Sequence, residues 1–182
     1  VDAGGCFQSR LKPTQGLFQA FLEAPDANFS SVTVLRLEKM DFLTHLTGLE
    51  RLTNLESLHI IRCDNLEDLS AIGGLRKLKQ LHLKSCASIS DFSFLGEHPA
   101  LESISALYVN GLESMAGLSN LPALTTLHVH SDSLALLDGL QAPALEFLEI
   151  VAPLQQVDAL AHSPALQNLQ IRGAKLKNVD GI

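Results

Sequence analysis

The chain has 182 residues, 46% of them hydrophobic and 18% charged, which is the profile of one folded domain with its own core rather than of a disordered segment. There is no Trp and one Tyr, so leucine must build much of that core, and a net charge of −7 argues against wholesale nucleic-acid binding. No apolar run approaches the roughly 18 residues of a membrane span. The three cysteines form no CxxC or Cys/His zinc spacing, which argues against a disulfide-rich secreted module and points to a reducing, cytoplasmic setting.

Residues 1–11, with Gly4-Gly5, read as a flexible lead. Residues 12–31 read as an N-terminal helical cap: Pro13-Thr14 starts an amphipathic helix carrying Leu17, Phe18, Phe21 and Leu22, which ends before Pro25. From residue 32 to 182 a repeat takes over. The frame LxxLxLxx(C/N) appears at Leu55-Leu58-Ile60-Cys63 and Leu78-Leu81-Leu83-Cys86. Weaker copies are Val32-Leu35-Leu37-Met40, Leu101-Ile104-Ala106-Val109, Leu124-Leu127-Val129-Asp132, Leu145-Leu148-Ile150-Pro153 and Leu166-Leu169-Ile171-Ala174. The copies begin at 32, 55, 78, 101, 124, 145 and 166, giving four repeats of 23 residues, two of 21 and an incomplete seventh.

Inside each copy the xLxL portion alternates with period two and predicts a strand. The second half is spaced by threes, as in Leu43, Leu46, Leu49 and Leu52, or Leu66, Leu69, Ile72 and Leu75, and predicts a short helix or 3₁₀ turn. No single copy buries its apolar side alone, so neighbours must stack. The chain stops at Ile182, inside the second half of the seventh copy, and a terminal coil needs a polar cover; a fragment of a longer protein, or an end covered by a partner, is expected.

The pattern resembles the leucine-rich repeat family over about residues 32–182. Cys63-Asp64-Asn65-Leu66-Glu67-Asp68-Leu69-Ser70, matched by Cys86-Ala87-Ser88-Ile89-Ser90-Asp91-Phe92-Ser93, is similar to the short repeats of the SDS22-like and internalin-like types and of kinetoplastid leucine-rich repeat proteins. The resemblance implies an α/β solenoid: a curved right-handed coil with a parallel concave sheet and short helical or 3₁₀ segments on the convex side. Family members carry Asn or Cys at the ninth position, where the later copies here have Val109, Asp132, Pro153 and Ala174, so less regular C-terminal turns are expected.

In that frame, positions 3, 5, 7 and 8 face the concave surface and positions 4 and 6 face the core. Two clusters follow. Arg36, Lys39, Arg62 and Lys84 collect at the N-terminal half against one acid, Glu38, which fits an acidic partner and equally a solvated strand face, where Lys and Arg are common. Ile61, Leu107, Tyr108, Phe147 and Val151 put apolar and aromatic groups on a face that ought to be wet, the usual anchors of a binding patch, although cross-strand packing alone would also place them there. Position 8 on this face includes Ser131 and Ala152. His59, His82, His128 and His130 share the face, with His59 and His82 as neighbours; ordinary polar surface is the leading reading, a pH-sensitive interface comes next, and no carboxylate or cysteine completes a metal site.

Cys63 and Cys86 stack one strand apart, either as buried free thiols or as a disulfide. Asp68, Asp91, Asp138, Asp158 and Asp180 sit in the convex turns as backbone caps rather than as calcium ligands. There is no P-loop, GxGxxG, HExxH or GxSxG, so neither an enzyme, a cofactor nor a metal is expected. The expected function is a protein–protein interaction module, part of a larger scaffold, effector or regulatory protein. It would bind another protein or peptide through Arg36, His59, Arg62, His82, Lys84, Leu107, Tyr108, His128, His130 and Phe147. The alternative is the substrate-recognition or regulatory arm of an enzyme whose catalytic domain lies outside this chain.

Overall fold

The computed structural model describes residues 14–24, 28–119 and 121–177. The lead at 1–11, Pro25 and Asp180 lie outside the described residues. Seven strands, β1 (Val34–Glu38), β2 (Ser57–Ile61), β3 (Gln80–Lys84), β4 (Ser103–Leu107), β5 (Thr126–His130), β6 (Phe147–Val151) and β7 (Asn168–Arg172), form one open parallel sheet in chain order. Register is in phase throughout: Leu35, Leu58, Leu81, Ile104, Leu127, Leu148 and Leu169 make one row across it. The alternation predicted from the repeat is the reason. A slip of one residue would expose every leucine of a strand, so burial of one face holds each strand in place.

Polar stitching repeats with the same period. At the entry to each strand a single carbonyl accepts two successive N–H groups from the next coil: Thr33 from Glu56 and Ser57, Glu56 from Lys79 and Gln80, and so on to Glu146 from Gln167 and Asn168. Backbone groups that a lone coil would leave unpaired are thus satisfied by its neighbour, which makes stacking both an apolar and a hydrogen-bonding event. The return half of the repeats uses short 3₁₀ turns at Leu49–Arg51, Ser70–Gly74, Ser93–Leu95 and Asp158–His162. Asp68 Oδ1 accepts the Ser70 N–H at 2.9 Å and Asp91 Oδ1 the Ser93 N–H at 2.8 Å, the capping role expected of these acids. Among the described residues, Asp138 and Asp158 make no such bond.

Ahead of the repeats, α1 (Gln15–Glu23) starts on Thr14, whose hydroxyl accepts the Leu17 N–H at 3.3 Å. Phe18 and Leu22 are buried with the leucines of the first coil. Gln15 grips that coil from both sides of its amide: Oε1 accepts the Thr44 N–H at 2.9 Å and Nε2 donates to the His45 carbonyl at 3.0 Å. Arg51 donates to the Leu22 carbonyl at the helix end.

In the 23-residue repeats the ninth position is a buried column, Met40, Cys63, Cys86 and Val109, and its two cysteines are free thiols. Cys63 Sγ lies 3.6 Å from the Ile61 carbonyl and Cys86 Sγ 3.5 Å from the Lys84 carbonyl, so each thiol donates to the end of its own strand. Burial pushes the Cys63 thiol up to about 11, far from the thiolate that reacts.

One expectation fails here. The repeat frame puts the eighth residue on the sheet face, yet Ser131 and Ala152 are both buried, at 0% and 4% exposure. In the 23-residue repeats the eighth residue is a left-handed corner: Lys39, Arg62, Ser85 and Tyr108 have φ of 56°, 54°, 52° and 58°. The 21-residue repeats have lost that corner. Their eighth residue therefore turns inward into the slot held elsewhere by Cys63 and Cys86. Ser131 fills it with the same chemistry, its hydroxyl donating to the Leu112 carbonyl at 2.9 Å. Asp132, at the nominal ninth position, is exposed, and Pro153 is half-buried. At Asp132 and Pro153 the departure from Asn or Cys is thus a shift of one residue, not a loss of the turn, whereas Val109 keeps the buried ninth position behind the Tyr108 corner.

A second column, three residues before each repeat's first leucine, reads Leu52, Leu75, His98, Leu121, Ala142 and Ser163, all buried. His98 is wholly buried, with Nδ1 2.5 Å from the Leu95 carbonyl and Nε2 3.0 Å from the Ile72 carbonyl. A neutral imidazole has one N–H, so only one of these contacts is a hydrogen bond at a time. Protonation would satisfy both, but burial opposes the charge and holds the pKa of His98 below the usual 6.5.

Candidate partner-binding face

Strand alternation sends Leu58 and Ile60 into the core and His59 to the opposite side, and the same holds in register along the sheet. The side opposite the core therefore carries Arg36 on β1, His59 on β2, His82 and Lys84 on β3, Leu107 on β4, His128 and His130 on β5 and Phe147 on β6. Arg62 and Tyr108 stand at the corners just past β2 and β4. All ten residues singled out from the sequence lie on this one side. The corner residues are there for a reason of backbone geometry. A left-handed residue costs about 1–2 kcal/mol when it is not glycine. It is retained here while its N–H continues the ladder, as Lys39 to the Ile61 carbonyl and Arg62 to the Lys84 carbonyl, both at 2.8 Å.

Rings pair across neighbouring strands. His59 and His82 are stacked, with centroids 4.4 Å apart and planes 9° from parallel. Tyr108 packs on His130 at 4.4 Å, and His128 on Phe147 at 5.0 Å, both tilted. Partial burial lowers the pKa of both His59 and His82; His82 and then Arg36 add to the effect at His59, and His128 adds to it at His82. Both rings are consequently neutral at pH 7. Ser57 Oγ sits 3.2 Å from His59 Nε2, which holds that ring in its stacked orientation.

Charges on the face are unevenly satisfied. Arg36 pairs with Glu38 at 3.1 Å. Glu149 receives His128 at 3.1 Å and Arg172 at 3.5 Å. Sequence reasoning left Glu149 and Arg172 out of the candidate set; the register that brings His128 opposite Glu149 was the available signal. It also missed the buried role of His98, which was readable from its phase with Leu75 and Leu121. Among the described residues no group of three or more His, Cys, Asp or Glu is arranged to hold a metal ion, and no helix is long and apolar enough to cross a membrane.

The three depressed histidines set a pH dependence of stability. Folded, His59, His82 and His98 bind protons less readily than in the unfolded chain, where the pKa is near 6.5. Stability is therefore full above pH 6.5 and falls as the pH drops below it, because the unfolded state takes up the protons first. The urea midpoint is expected to be lower at pH 5.0 than at pH 7.5. His98→Leu, which supplies the leucine of the neighbouring coils, should flatten that slope. A midpoint that holds steady or rises on acidification contradicts this account.

No protein-family model matches the chain, and no curated protein matches it by sequence. Its fold is nonetheless shared. It is similar to the leucine-rich repeat domain of the type III effector XopL, with a TM-score of 0.62 at 17% identity over 92% of this chain and 73% of that one. It is also similar to internalin C2 of Listeria monocytogenes, with a TM-score of 0.52 at 18% identity over 84% of this chain and 76% of that one. At these identities the likeness is one of fold. That fold is in general an interaction scaffold, because stacked repeats present one extended surface.

Proposed function

We propose that this leucine-rich repeat chain binds another protein or peptide across its sheet face. The contacts are Arg36, His59, Arg62, His82, Lys84, Leu107, Tyr108, His128, His130 and Phe147. The observation that carries the reading is Tyr108: it is 51% exposed at a left-handed corner and packs on His130, next to the His128–Phe147 pair. A tyrosine whose only task was to stabilise the sheet would be better covered. Aromatic side chains held rigidly by neighbours, beside exposed cations, are the usual makings of an interface hot spot.

Affinity capture from a cell extract tests it, with the wild-type chain and with Tyr108→Ala plus Phe147→Ala as baits. Neither residue is in the buried core, so circular dichroism should match between the two. Recovery of the specific partner is expected to fall by at least about tenfold, the loss of one to two hot-spot residues. Equal recovery with both baits would reject the face.

A further inference from the structure

Charge is unevenly paired across the sheet face. Among its described residues the carboxylates are Glu38 and Glu149, and both are already engaged, by Arg36 and by His128 with Arg172. Three exposed cations on the same face have no acidic partner among the described residues: Lys39, Arg62 and Lys84. All three lie at or beside the corners of β1 to β3. Asp41 and Asp64, two residues beyond the first two corners, belong to the descending turns past buried Met40 and Cys63 and make no ion pair with them.

Like charges on adjacent strands repel. Lys39 and Arg62 occupy successive corners, and Lys84 lies one strand further. In a chain of net charge −7, three neighbouring cations without acids are a local excess that an anionic ligand would relieve. The next corner but one after Arg62 is Tyr108, beside Leu107, His130 and Phe147, where unpaired charge gives way to rings. Strands are about 4.8 Å apart, so Tyr108 lies one, two and three strand spacings from Lys84, Arg62 and Lys39, and roughly 10 Å from the middle cation, the span of about three residues of extended chain.

We infer that the occupant of this face is a bipartite peptide segment of a partner protein: a cluster of Asp or Glu side chains over Lys39, Arg62 and Lys84, and an apolar side chain about three residues away over Tyr108, His130 and Phe147. The segment runs across the strands, its acidic part toward β1 and its apolar part toward β6. This rests on the sheet face being the binding surface, as proposed above, and adds the chemistry and order of what binds there. Because the acidic part is held by exposed cations, its affinity falls with added salt, while the apolar part is less affected.

A random-peptide library displayed on phage, selected against the immobilised whole chain, tests the inference. The selected pool is expected to be enriched in Asp and Glu at about three residues from Leu, Phe or Tyr. A synthetic peptide of the selected sequence should lose at least about tenfold in affinity to Arg62→Glu plus Lys84→Glu. Selection against that charge-reversed variant should yield no acidic enrichment. Peptides that need Tyr108 and Phe147 but show no acidic bias would overturn this inference and leave the binding face standing. Peptides indifferent to both double variants would overturn both. A selection that enriches nothing above the uncoated support would also count against the bipartite ligand.

Discussion

Gly117→Ala is expected to lower stability by more than about 4 kcal/mol, toward the extreme of what a single added methyl does. Gly117 has a φ of 97°, in the left-handed region. A Cβ there would meet the Phe92 carbonyl carbon and oxygen at 2.2 Å and the Ser93 nitrogen at 2.5 Å. These are backbone atoms of the preceding coil, so no side chain can swing aside. Phe92 itself is fully buried, and its N–H is bonded to the Ala116 carbonyl at 2.8 Å. Relief therefore requires the third and fourth coils to separate in their return halves, exposing the leucines between them. Gly16→Ala is the control. It lies in α1 with no atom within 4 Å of the new methyl, and alanine there should be neutral or stabilising by up to about 1 kcal/mol. Urea unfolding followed by circular dichroism reads both. A Gly117→Ala midpoint close to that of the wild type would show that the coils are not in the close contact described.

The second large effect is positional. Leu81→Ala should cost about 3 kcal/mol, whereas Leu169→Ala should cost about 1 kcal/mol or less, although both occupy the same place in the repeat. Leu81 is wholly buried in β3 between Leu58 and Ile104. Its removal leaves a cavity that two neighbouring coils line and cannot close. Leu169, in β7, is in register with Leu148 on one side and is only half-buried, so water already reaches part of what the substitution removes. In a stacked array each coil touches only its neighbours, and stability is close to a sum of local terms. Hydrogen exchange would add resolution: protection should drop in β2 to β4 for Leu81→Ala and stay high there for Leu169→Ala. Equal losses for the two variants would mean that the array unfolds as one unit with no dependence on position.

Most of the architecture was legible in the chain before its coordinates. The spacing of leucines predicted where each strand falls, the shortening from 23 to 21 residues and the side of the sheet on which His59, Lys84 and Phe147 stand. Such features depend only on period, and period survives substitution of any one residue. The corners were not legible. Whether a strand reaches its first buried turn residue in one step or two depends on a left-handed residue whose presence no side chain announces; Lys39, Arg62, Ser85 and Tyr108 share nothing but backbone geometry. Only the distance onward to the next buried leucine could have revealed the shift, since Leu134 follows Ser131 by the interval that separates Leu66 from Cys63. His98 escaped for the opposite reason: its phase marked it as interior, but a polar residue in an apolar column reads as surface. Register alone brings His128 opposite Glu149, but the reach of Arg172 to the same carboxylate needed side-chain positions.

The doubly used carbonyl at the entrance of each strand has a consequence for how such a chain can diverge. Thr33, Glu56, Lys79, Glu102, Thr125 and Glu146 each clamp the next strand at its first residue, whether the arc between them holds 21 residues or 23. Residues gained or lost between these clamps therefore leave the strand register intact, although the shortened coils give up the left-handed corner and bury Ser131 and Ala152. Spacer length can change without a shift of register, but a 21-residue coil put in place of a 23-residue one would remove the exposed corner on which Arg62 or Tyr108 stands.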